Sequence, residues 1–299
     1  MSLQKYTYLY SSFIAVVISA GLLSCASSPK NIPVTPLTEE KDLNFTNLVW
    51  NDEFEGNLLN TEYWEYQIGD GTGYGLPPGW GNNEEQYYTD DPKNIRVENG
   101  ELIITARKQS MRGMKYTSAR ICTKNKVDIR YGRIEARIKF PAGNGLWGAF
   151  WMLPTDNVYG GWAASGEIDI MEMFGSQPYL AVGTLHMGGQ WPHNSYRNGF
   201  FRFPDERLLT DDYHVYAVEW DPKEIRWYID DHMYTSVPSE EWFVLNHAGT
   251  DVIDKPGAPF DQRFYILLNL AVNGSEKKKI DETTKLPAEM RVDYVRVYR

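Results

Sequence analysis

Residues 132–140 are Gly132-Arg133-Ile134-Glu135-Ala136-Arg137-Ile138-Lys139-Phe140, a run in which small or apolar side chains alternate with charged ones. Successive side chains of a β-strand point to opposite faces, so the run predicts a strand with one face on a core and the other in water. Residues 215–220, 224–230, 233–237 and 290–298 repeat this alternation in shorter form. The chain is therefore expected to be built from short strands.

A hairpin and a central strand extend this pattern. Residues 94–98 and 101–107 flank Asn99-Gly100, a dipeptide typical of two-residue hairpin turns. Residues 264–272 are nearly all apolar, which predicts a strand covered on both faces. No long segment after residue 45 places apolar residues at helical spacing. Many short antiparallel strands in one domain indicate an all-β fold, a sandwich or jelly roll of two antiparallel sheets whose free outer face can form a groove.

Composition and charge exclude several classes of protein. The chain has 299 residues, of which 42% are hydrophobic and 14% aromatic, so it can bury a large core and is not a disordered chain. Its 30 basic and 40 acidic residues give a net charge of −10, which offers no electrostatic footprint for phosphate, and nucleic acid is not expected as a partner. The 10 tryptophans suggest a use besides packing, since flat rings commonly stack on sugars.

The N-terminal segment has the features of an export signal. An apolar run at residues 13–23 follows Lys5 and ends in Leu22-Leu23-Ser24-Cys25. The run is too short, and too closely followed by small polar residues, to span a bilayer as a permanent helix. Its end resembles the lipobox of bacterial lipoproteins, in which the cysteine is acylated and becomes the mature N-terminus. An ordinary cleaved signal is the alternative.

The lipobox resemblance divides the chain into three parts. Residues 1–24 are expected to be a lipoprotein signal peptide, residues 25–45 the lipidated Cys25 with a flexible tether, and residues 46–299 the folded domain. The protein is then expected to be an exported monomer that meets the membrane only through its lipid, at the outer membrane or cell surface of a Gram-negative bacterium. With Cys25 acylated, Cys122 has no disulfide partner, and its strand-like surroundings predict a buried small hydrophobe.

The most informative motif is the acidic stretch at residues 166–174, Gly-Glu-Ile-Asp-Ile-Met-Glu-Met-Phe. Strand alternation puts Glu167 and Asp169 on one face, but it turns Glu172 towards the core, where an unpaired carboxylate is costly. One extra residue near Ile170-Met171, a β-bulge, would return Glu172 to the outer face. Three carboxylates would then stand in a row.

Three neighbouring carboxylates cannot all be ionised without penalty, so at least one pKa should be raised. Glycoside hydrolysis uses such a set, with one ionised carboxylate that attacks the anomeric carbon and one protonated group that supplies the leaving oxygen with a proton. In the retaining route the two groups lie about 5–5.5 Å apart. Solvated surface acids and a calcium site are the alternatives. Upstream, Trp147 and Trp151 share one face of another predicted strand, and an aromatic wall beside acids is typical of a sugar-cleaving groove.

The segment Glu167-Ile168-Asp169-Ile170-Met171-Glu172 resembles the E-x-D-x-x-E signature of glycoside hydrolase family 16. Flanking segments resemble its laminarinase-like branch, at residues 80–88, 145–153, 159–162 and 184–186, and the resemblance covers residues 48–298. It implies a β-jelly roll of two stacked sheets with a concave substrate cleft. It also implies retaining endo-cleavage of β-1,3-glucans or mixed-linkage β-1,3-1,4-glucans, such as laminarin, lichenan and cereal β-glucan.

The family resemblance implies roles for single residues. Glu167 is similar to the nucleophile, Asp169 to the carboxylate that assists it, and Glu172 to the acid/base. The residues that resemble sugar-binding positions are Asn82, Arg120, Trp147, Trp151, Trp162 and His186, the last of them expected near the acid/base. No cofactor is implied for catalysis. A structural calcium ion is implied on the convex side, with Glu53, the backbone oxygen of Gly100 and Asp293 as ligands.

Two other functions share these motifs. A non-catalytic glucan-binding lipoprotein would have the same fold and aromatic groove, but it would not need two acids across a scissile bond. A related hydrolase of a sulfated galactan would prefer a basic cleft, and the sequence has no Arg/Lys cluster near the Trp-rich strands. Gly148, Ala163 and Met173-Phe174 depart from the residues that are common around the family's cleft, so the sequence leaves the preference among substrates open.

Overall fold

The computed structural model describes residues 45–276 and 278–299, so the predicted signal peptide and nearly all of the tether lie outside the described residues. In the described part of the chain, no helix is long and apolar enough to cross a bilayer, and the helical segments are two 3₁₀ turns, Thr72–Tyr74 and Ser239–Glu241. The strands are β1 (Leu48–Asp52), β2 (Glu65–Tyr66), β3 (Gln86–Tyr88), β4 (Ile95–Glu98), β5 (Glu101–Ala106), β6 (Tyr116–Ser118), β7 (Arg120–Cys122), β8 (Asp128–Ile129), β9 (Gly132–Lys139), β10 (Leu146–Pro154), β11 (Glu167–Phe174), β12 (Ala181–Gly188), β13 (Asn194–Phe201), β14 (His214–Trp220), β15 (Glu224–Ile229), β16 (His232–Pro238), β17 (Phe264–Val272) and β18 (Ala288–Tyr298).

Two large antiparallel sheets contain most of these strands. In sheet 1 the order is β16-β15-β14-β9-β18-β5-β4, and β1 also pairs with β18. In sheet 2 the order is β13-β12-β11-β10-β17-β7-β2, and β8 also pairs with β17. The prediction of an all-β jelly-roll sandwich is confirmed. A small parallel pair of β3 with β6 is an addition that the sequence pattern did not indicate.

The core lies between the two sheets and is built from the apolar faces of both. Ile134, Ala136 and Ile138 of β9 belong to the same buried cluster as Phe150 of β10 and Ile168 of β11. Burying a large apolar side chain of this kind contributes about 1.5–3 kcal/mol relative to leaving it exposed. The alternation at residues 132–140 is therefore confirmed for the inward face of β9.

The outer face of β9 differs from the prediction. The alternation placed Arg133 and Glu135 in water, but the two residues are only 1% and 7% exposed. Arg133 donates hydrogen bonds to Glu135 at 2.8 Å and to Asp231 at 2.5 Å, and its guanidinium carbon lies 5.3 Å from the ring centroid of Tyr228. Because β9 is a central strand, neighbouring side chains cover its outer face, and the charges there are paired instead of hydrated.

Three smaller predictions are confirmed. The hairpin pairs β4 with β5, and Asn99 and Gly100 have the positive φ values, 57° and 78°, that its tight turn requires. Strand β17 lies between β10 and β7 and is buried along its whole length. Cys122 is buried and forms no disulfide, as expected of a small hydrophobe in the core.

Candidate active site

The acidic strand β11 carries the bulge that the sequence predicts. The pairing of β11 with β10 changes register after Trp151 opposite Asp169, and its pairing with β12 changes register between Asp169 and Glu172. Strand β11 therefore holds one residue more than its neighbours over this stretch. The side chains that pack in the core are Ile168, Ile170, Met171 and Met173. The carboxylates of β11 that lie on the outer face of sheet 2 are Glu167, Asp169 and Glu172.

A tryptophan from the opposite sheet stabilises this bulge from inside the core. Trp227 of β15 is buried, and its Nε1 donates to the backbone oxygen of Asp169 at 2.8 Å. Bulges leave ladder groups unpaired, and a buried carbonyl without a donor is costly. Gly183 of β12 makes room for the indole, since a Cβ there would lie 2.5 Å from a carbon of the Trp227 ring. Trp227 therefore supplies the hydrogen bond that the bulge requires.

The two glutamates of the row each accept a hydrogen bond from a tryptophan. Nε1 of Trp162 donates to Oε2 of Glu167 at 2.9 Å, and Nε1 of Trp147 donates to Oε1 of Glu172 at 3.1 Å. The hydroxyl of Thr184 on β12 donates to the other oxygen of Glu172 at 3.3 Å. The structure therefore brings two of the predicted sugar-binding tryptophans to the carboxylates, one beside each glutamate.

His186 lies at the Glu167 end of the row. It is opposite Glu167 on β12, and its Nε2 is 3.3 Å from Oδ2 of Asp169 and 3.6 Å from Oε1 of Glu167. The family resemblance implies a histidine near the acid/base, Glu172; the charge of His186 lowers the pKa of Glu172, although the register puts Val182 and not His186 directly opposite it. The ligand atoms of Glu167, Asp169 and His186 lie within 4.8 Å of one another, so these are the side chains at this site that could hold a cation.

Burial raises the pKa of Glu167, Asp169 and Glu172 to about 8 in each case. These values already include the charge of Asp169, which raises the pKa of both glutamates, and the effects of His186 and the indole donors, which lower it. Ionising one carboxylate makes it harder to ionise the next, so the row loses its protons in steps and titrates as a unit. Near neutral pH the row can therefore hold an ionised carboxylate and a protonated one side by side, which is what acid-assisted nucleophilic attack requires.

Two further predicted sugar-binding residues, Arg120 and Trp151, lie together to one side of the row. The guanidinium carbon of Arg120 lies 4.4 Å from the ring centroid of Trp80 and 4.7 Å from that of Trp151. The Nε of Arg120 donates to Gln67 at 2.5 Å. Such stacking contributes roughly 0.5–2 kcal/mol per contact and holds the guanidinium plane in one orientation. Asn82, the last of the predicted set, donates from Nδ2 to Oε1 of buried Glu84 at 3.2 Å.

The residues that the family resemblance assigns to calcium do not fit that ion as they are placed. Arg296 of β18 donates to both carboxylate oxygens of Glu53, at 2.8 and 2.9 Å, and this pairing lowers the pKa of Glu53. Asp293 accepts a hydrogen bond from Arg137 at 2.8 Å, and Gly100 lies in the turn between β4 and β5. Because guanidinium groups already neutralise both carboxylates, the set does not offer the free anionic oxygens that calcium prefers.

Sequence reasoning missed several residues that support the site. Those in direct or relayed contact with predicted site residues are Gln67, Trp80, Glu84, Tyr88, Thr184, Trp227 and Asn269. One signal could have identified Asn269, because it is the polar residue in an otherwise apolar central strand. A polar side chain in that position must find a partner, and Nε1 of Trp151 donates to it at 2.8 Å.

Comparison with known proteins agrees with this geometry. Residues 82–248 match the family described as "Glycosyl hydrolases family 16". The chain is 43% identical over 266 residues to the glucan endo-1,3-beta-glucosidase A1 of Niallia circulans, and the aligned region covers 85% of this chain and 38% of that protein. It is 40% identical over 308 residues to the beta-glucanase of Rhodothermus marinus, and the aligned region covers 100% of this chain and 97% of that protein. The chain therefore spans well under half of the first relative and nearly all of the second.

The fold has close counterparts among solved structures. The laminarinase from Rhodothermus marinus superposes with a TM-score of 0.73 at 42% sequence identity, over 85% of this chain and 97% of that one. The family match, these identities and the shared two-sheet architecture all support the same family assignment. The chain belongs to glycoside hydrolase family 16.

Proposed function

We propose that this protein is an endo-acting, retaining hydrolase of β-1,3-glucans and mixed-linkage β-1,3-1,4-glucans. The observation that carries the proposal is the placement of Glu167 and Glu172 on one outer face, each with an indole N–H donated to its carboxylate. The names of the relatives, an endo-1,3-β-glucosidase, a β-glucanase and a laminarinase, support this substrate class. A site on the outer face of a sheet can accept a polymer along its length, which suits endo-cleavage.

The reaction proceeds by two displacements at the anomeric carbon. In the first, a carboxylate oxygen of Glu167 bonds to the anomeric carbon as the bond to the glycosidic oxygen breaks, and Glu172 transfers its proton to that oxygen. In the second, ionised Glu172 takes a proton from water, the water oxygen bonds to the anomeric carbon, and Glu167 leaves as a carboxylate. Each displacement inverts the carbon, so the product keeps the β configuration of the substrate.

Asp169 and His186 adjust the charge on the nucleophile. Asp169 lies between the two glutamates in sequence and on their face, and its Oδ2 is 3.3 Å from Nε2 of His186. Burial raises the pKa of Asp169, and the protonated form that this favours does not repel ionised Glu167. The Trp162 indole N–H, at 2.9 Å, stabilises the same charged form. These interactions favour the ionised form of Glu167, so we assign Glu167 as the first of the two glutamates to lose its proton, next to a protonated Glu172.

Product formation from defined polysaccharides tests the proposal directly. The full-length protein is incubated with laminarin, lichenan and a sulfated galactan, and reducing ends and chain length are followed over time. We expect reducing ends from laminarin and lichenan, a rapid fall in chain length typical of endo-cleavage, and no product from the sulfated polymer. Binding of glucan without product would favour a non-catalytic binding protein, and cleavage of the sulfated galactan alone would favour the second rival.

The raised pKa of the acid predicts a pH–rate profile that extends to alkaline pH. An ordinary glutamate, with a pKa of 4.5, would have lost its proton at neutral pH, whereas burial raises the pKa of Glu172 to about 8. The alkaline limb of kcat/KM should therefore have its midpoint near pH 8. Trp147→Phe removes a hydrogen bond that favours the ionised form, so it should move the limb to higher pH. A wild-type midpoint below pH 6, or a downward shift in Trp147→Phe, would contradict this assignment.

We propose that ion pairs fasten β1 to the last strand, where a calcium ion was expected. The bidentate pair of Glu53 with Arg296 joins the end of β1 to β18 and is only partly exposed. A chelator should therefore leave the melting temperature unchanged, and Arg296→Ala should destabilise by up to about 1 kcal/mol at neutral pH. Because this pairing lowers the pKa of Glu53, the contribution is present at neutral pH and is lost as the pH falls below 4.5. Destabilisation by the chelator, reversed by calcium, would show that the ion is bound.

We propose that the protein is an exported lipoprotein and acts as a monomer, with Cys25 acylated. The support is the apolar run at residues 13–23 followed by Leu22-Leu23-Ser24-Cys25, together with a folded domain in which Cys122 is buried and unpaired. Labelled palmitate supplied to a bacterium that expresses the full chain should be incorporated, and Cys25→Ser should abolish the label and release the protein from membranes. A label that persists in Cys25→Ser would refute the anchor.

A further inference from the structure

Glu84 is a buried carboxylate that no part of the proposed reaction uses. It is 5% exposed, and burial raises its pKa above the ordinary value, although the charge of Arg120 and the hydrogen bonds that Glu84 accepts offset part of that rise. Three donors surround it: Nδ2 of Asn82 at 3.2 Å from Oε1, and Nε2 of Gln86 at 2.5 Å and the hydroxyl of Tyr88 at 3.2 Å from Oε2. A carboxylate is a group that only accepts, so every one of these hydrogen bonds points towards Glu84.

One of the three hydrogen bonds continues to the sugar-binding face. Nε1 of Trp151 donates to Oδ1 of Asn269 at 2.8 Å, and Nδ2 of Asn269 donates to the hydroxyl of Tyr88 at 3.3 Å. The Tyr88 hydroxyl then donates to Glu84. Trp151 can only donate and Glu84 can only accept, so the direction of the whole relay is fixed by its two ends. The indole of Trp151 is held in place through a buried relay that ends on Glu84.

A hydrogen bond from Val272 to Gln86 restricts how a side chain that replaces Glu84 can be oriented. The backbone N–H of Val272 donates to Oε1 of Gln86 at 2.7 Å. If the Gln86 amide were rotated by 180°, its NH₂ group would face that N–H, and two donors would oppose each other. Gln86 must therefore present its nitrogen to Oε2 of Glu84. Any side chain at position 84 must therefore present an acceptor in the place of Oε2. Only the group in the place of Oε1 can change from an acceptor to a donor.

The variable side faces Asn82, the predicted sugar contact. While Glu84 offers an oxygen there, Asn82 turns its Nδ2 towards Glu84 and its Oδ1 away from it. Asn82 is exposed, so its outward oxygen is an acceptor available to a sugar hydroxyl. If the group at position 84 presented an amide nitrogen instead, Asn82 would have to turn over, and its outward group would become a donor.

We infer that Glu84 is a positioning residue that sets the hydrogen-bonding polarity of the glycone wall, which we define as Asn82, Arg120 and Trp151. It keeps Asn82 as an acceptor towards a sugar hydroxyl and anchors the Trp151 ring through Tyr88 and Asn269. This inference rests on the proposed function, because it assigns Asn82 and Trp151 to the binding of the glycone sugars. Glu84 acts through these residues and does not touch the carboxylates that carry out the reaction.

The first variant tests the polarity of Asn82. Glu84→Gln keeps the shape of the side chain but can satisfy Gln86 and Tyr88 only by presenting its nitrogen to Asn82. We expect KM and the Kd of a laminarin oligosaccharide to rise about tenfold, as expected for one lost hydrogen bond, with kcat at saturation unchanged. A fall in kcat at unchanged KM would overturn the inference.

A swapped pair provides the rescue. In Glu84→Gln/Asn82→Asp the carboxylate moves to position 82, where it accepts from the new amide and presents an oxygen outward, and the net charge is conserved. KM and Kd should return close to the wild-type values. Asn82→Asp alone places two carboxylates against each other and should weaken binding, so the two changes must compensate each other in the double-mutant cycle. Additive losses would overturn the inference.

Tyr88→Phe and a matched control keep the test decisive if Glu84→Gln folds poorly. Tyr88→Phe retains the ring and removes the hydroxyl that links Asn269 to Glu84, and it should raise KM and Kd without lowering kcat. The control Glu135→Gln changes an equally buried glutamate on sheet 1 and should alter the melting temperature but neither KM nor Kd. Unchanged binding in Tyr88→Phe would refute the relay.

Measuring Kd separates this inference from the proposed function. If the wild type binds the oligosaccharide but releases no product, the proposed hydrolase is refuted, while the Kd values of the variants still decide the role of Glu84. If the wild type hydrolyses laminarin and the variants bind as it does, only the role of Glu84 is refuted. If the wild type does not bind the oligosaccharide, both fail.

Discussion

Replacing Glu167 with alanine should lower kcat on laminarin by roughly four to six orders of magnitude, as removal of a covalent nucleophile does. Asp169 shares the outer face but lies against His186, 3.3 Å from its Nε2, and its shorter side chain cannot take over the attack on the anomeric carbon. Binding of oligosaccharide should persist, since the glycone wall is unchanged. Reducing-end release by the purified variant, with the exposed Glu98→Ala on sheet 1 as a control, measures the effect.

Thermal unfolding separates this loss of turnover from a loss of fold. Burial raises the pKa of the three carboxylates of the row to about 8, so between pH 4.5 and pH 8 the native row binds more protons than the unfolded chain, and stability falls as the pH rises. Glu167→Gln removes one carboxyl group from this row and the charge that it contributes at higher pH. Its melting temperature should match the wild type near pH 4 and exceed it near pH 8. Near-normal turnover in either Glu167 variant would overturn the assignment of the nucleophile.

Replacing Glu172 with alanine should lower kcat by roughly two to four orders of magnitude, the contribution typical of a general acid. The loss should shrink for an aryl glycoside, whose leaving group departs without a proton. Azide should restore turnover of this activated substrate, because it can occupy the space of the missing side chain and attack the glycosyl–Glu167 bond without a general base. The product should be a β-glycosyl azide, formed with net retention.

Azide added to Glu167→Ala provides the crossed control. There the nucleophile is absent, so azide should attack the substrate directly and give the α-glycosyl azide by a single inversion. Nuclear magnetic resonance of the two products distinguishes the anomers. An α-azide from Glu172→Ala, or a β-azide from Glu167→Ala, would show that the roles of the two glutamates are exchanged or that the route is not a double displacement.

The acidic row could be predicted because its local pattern contained a conflict that only one structure resolves. Strict alternation would have buried Glu172, and the bulge between Asp169 and Glu172 removes that conflict. The requirement is local, so the sequence of one strand is enough to state it. The all-β sandwich was predictable for the same reason, since strand alternation and the Asn99-Gly100 turn are short-range signals.

Contacts between distant segments could not be predicted in the same way. The alternation of Arg133 and Glu135 with apolar residues predicts a solvent-exposed face. The two side chains are buried instead, because they contact Asp231 and Tyr228, about a hundred residues away along the chain. The position of His186 directly opposite Glu167 could not be predicted, because the register of β12 against β11 is set by the whole sheet. The side chains that donate to Glu84 all lie within residues 80–88, but the direction of their hydrogen bonds depends on the distant Val272 and Asn269.

Trapping the covalent intermediate tests the double displacement most directly. A laminaribiosyl fluoride with fluorine at C2 of the reacting sugar slows both steps but keeps a good leaving group, so the glycosyl–enzyme should accumulate. Peptide mass spectrometry of the full-length protein should then find one added glycosyl group, attached to Glu167. Attachment to Glu172, or complete turnover to an α-configured sugar with no labelled peptide, would contradict the mechanism.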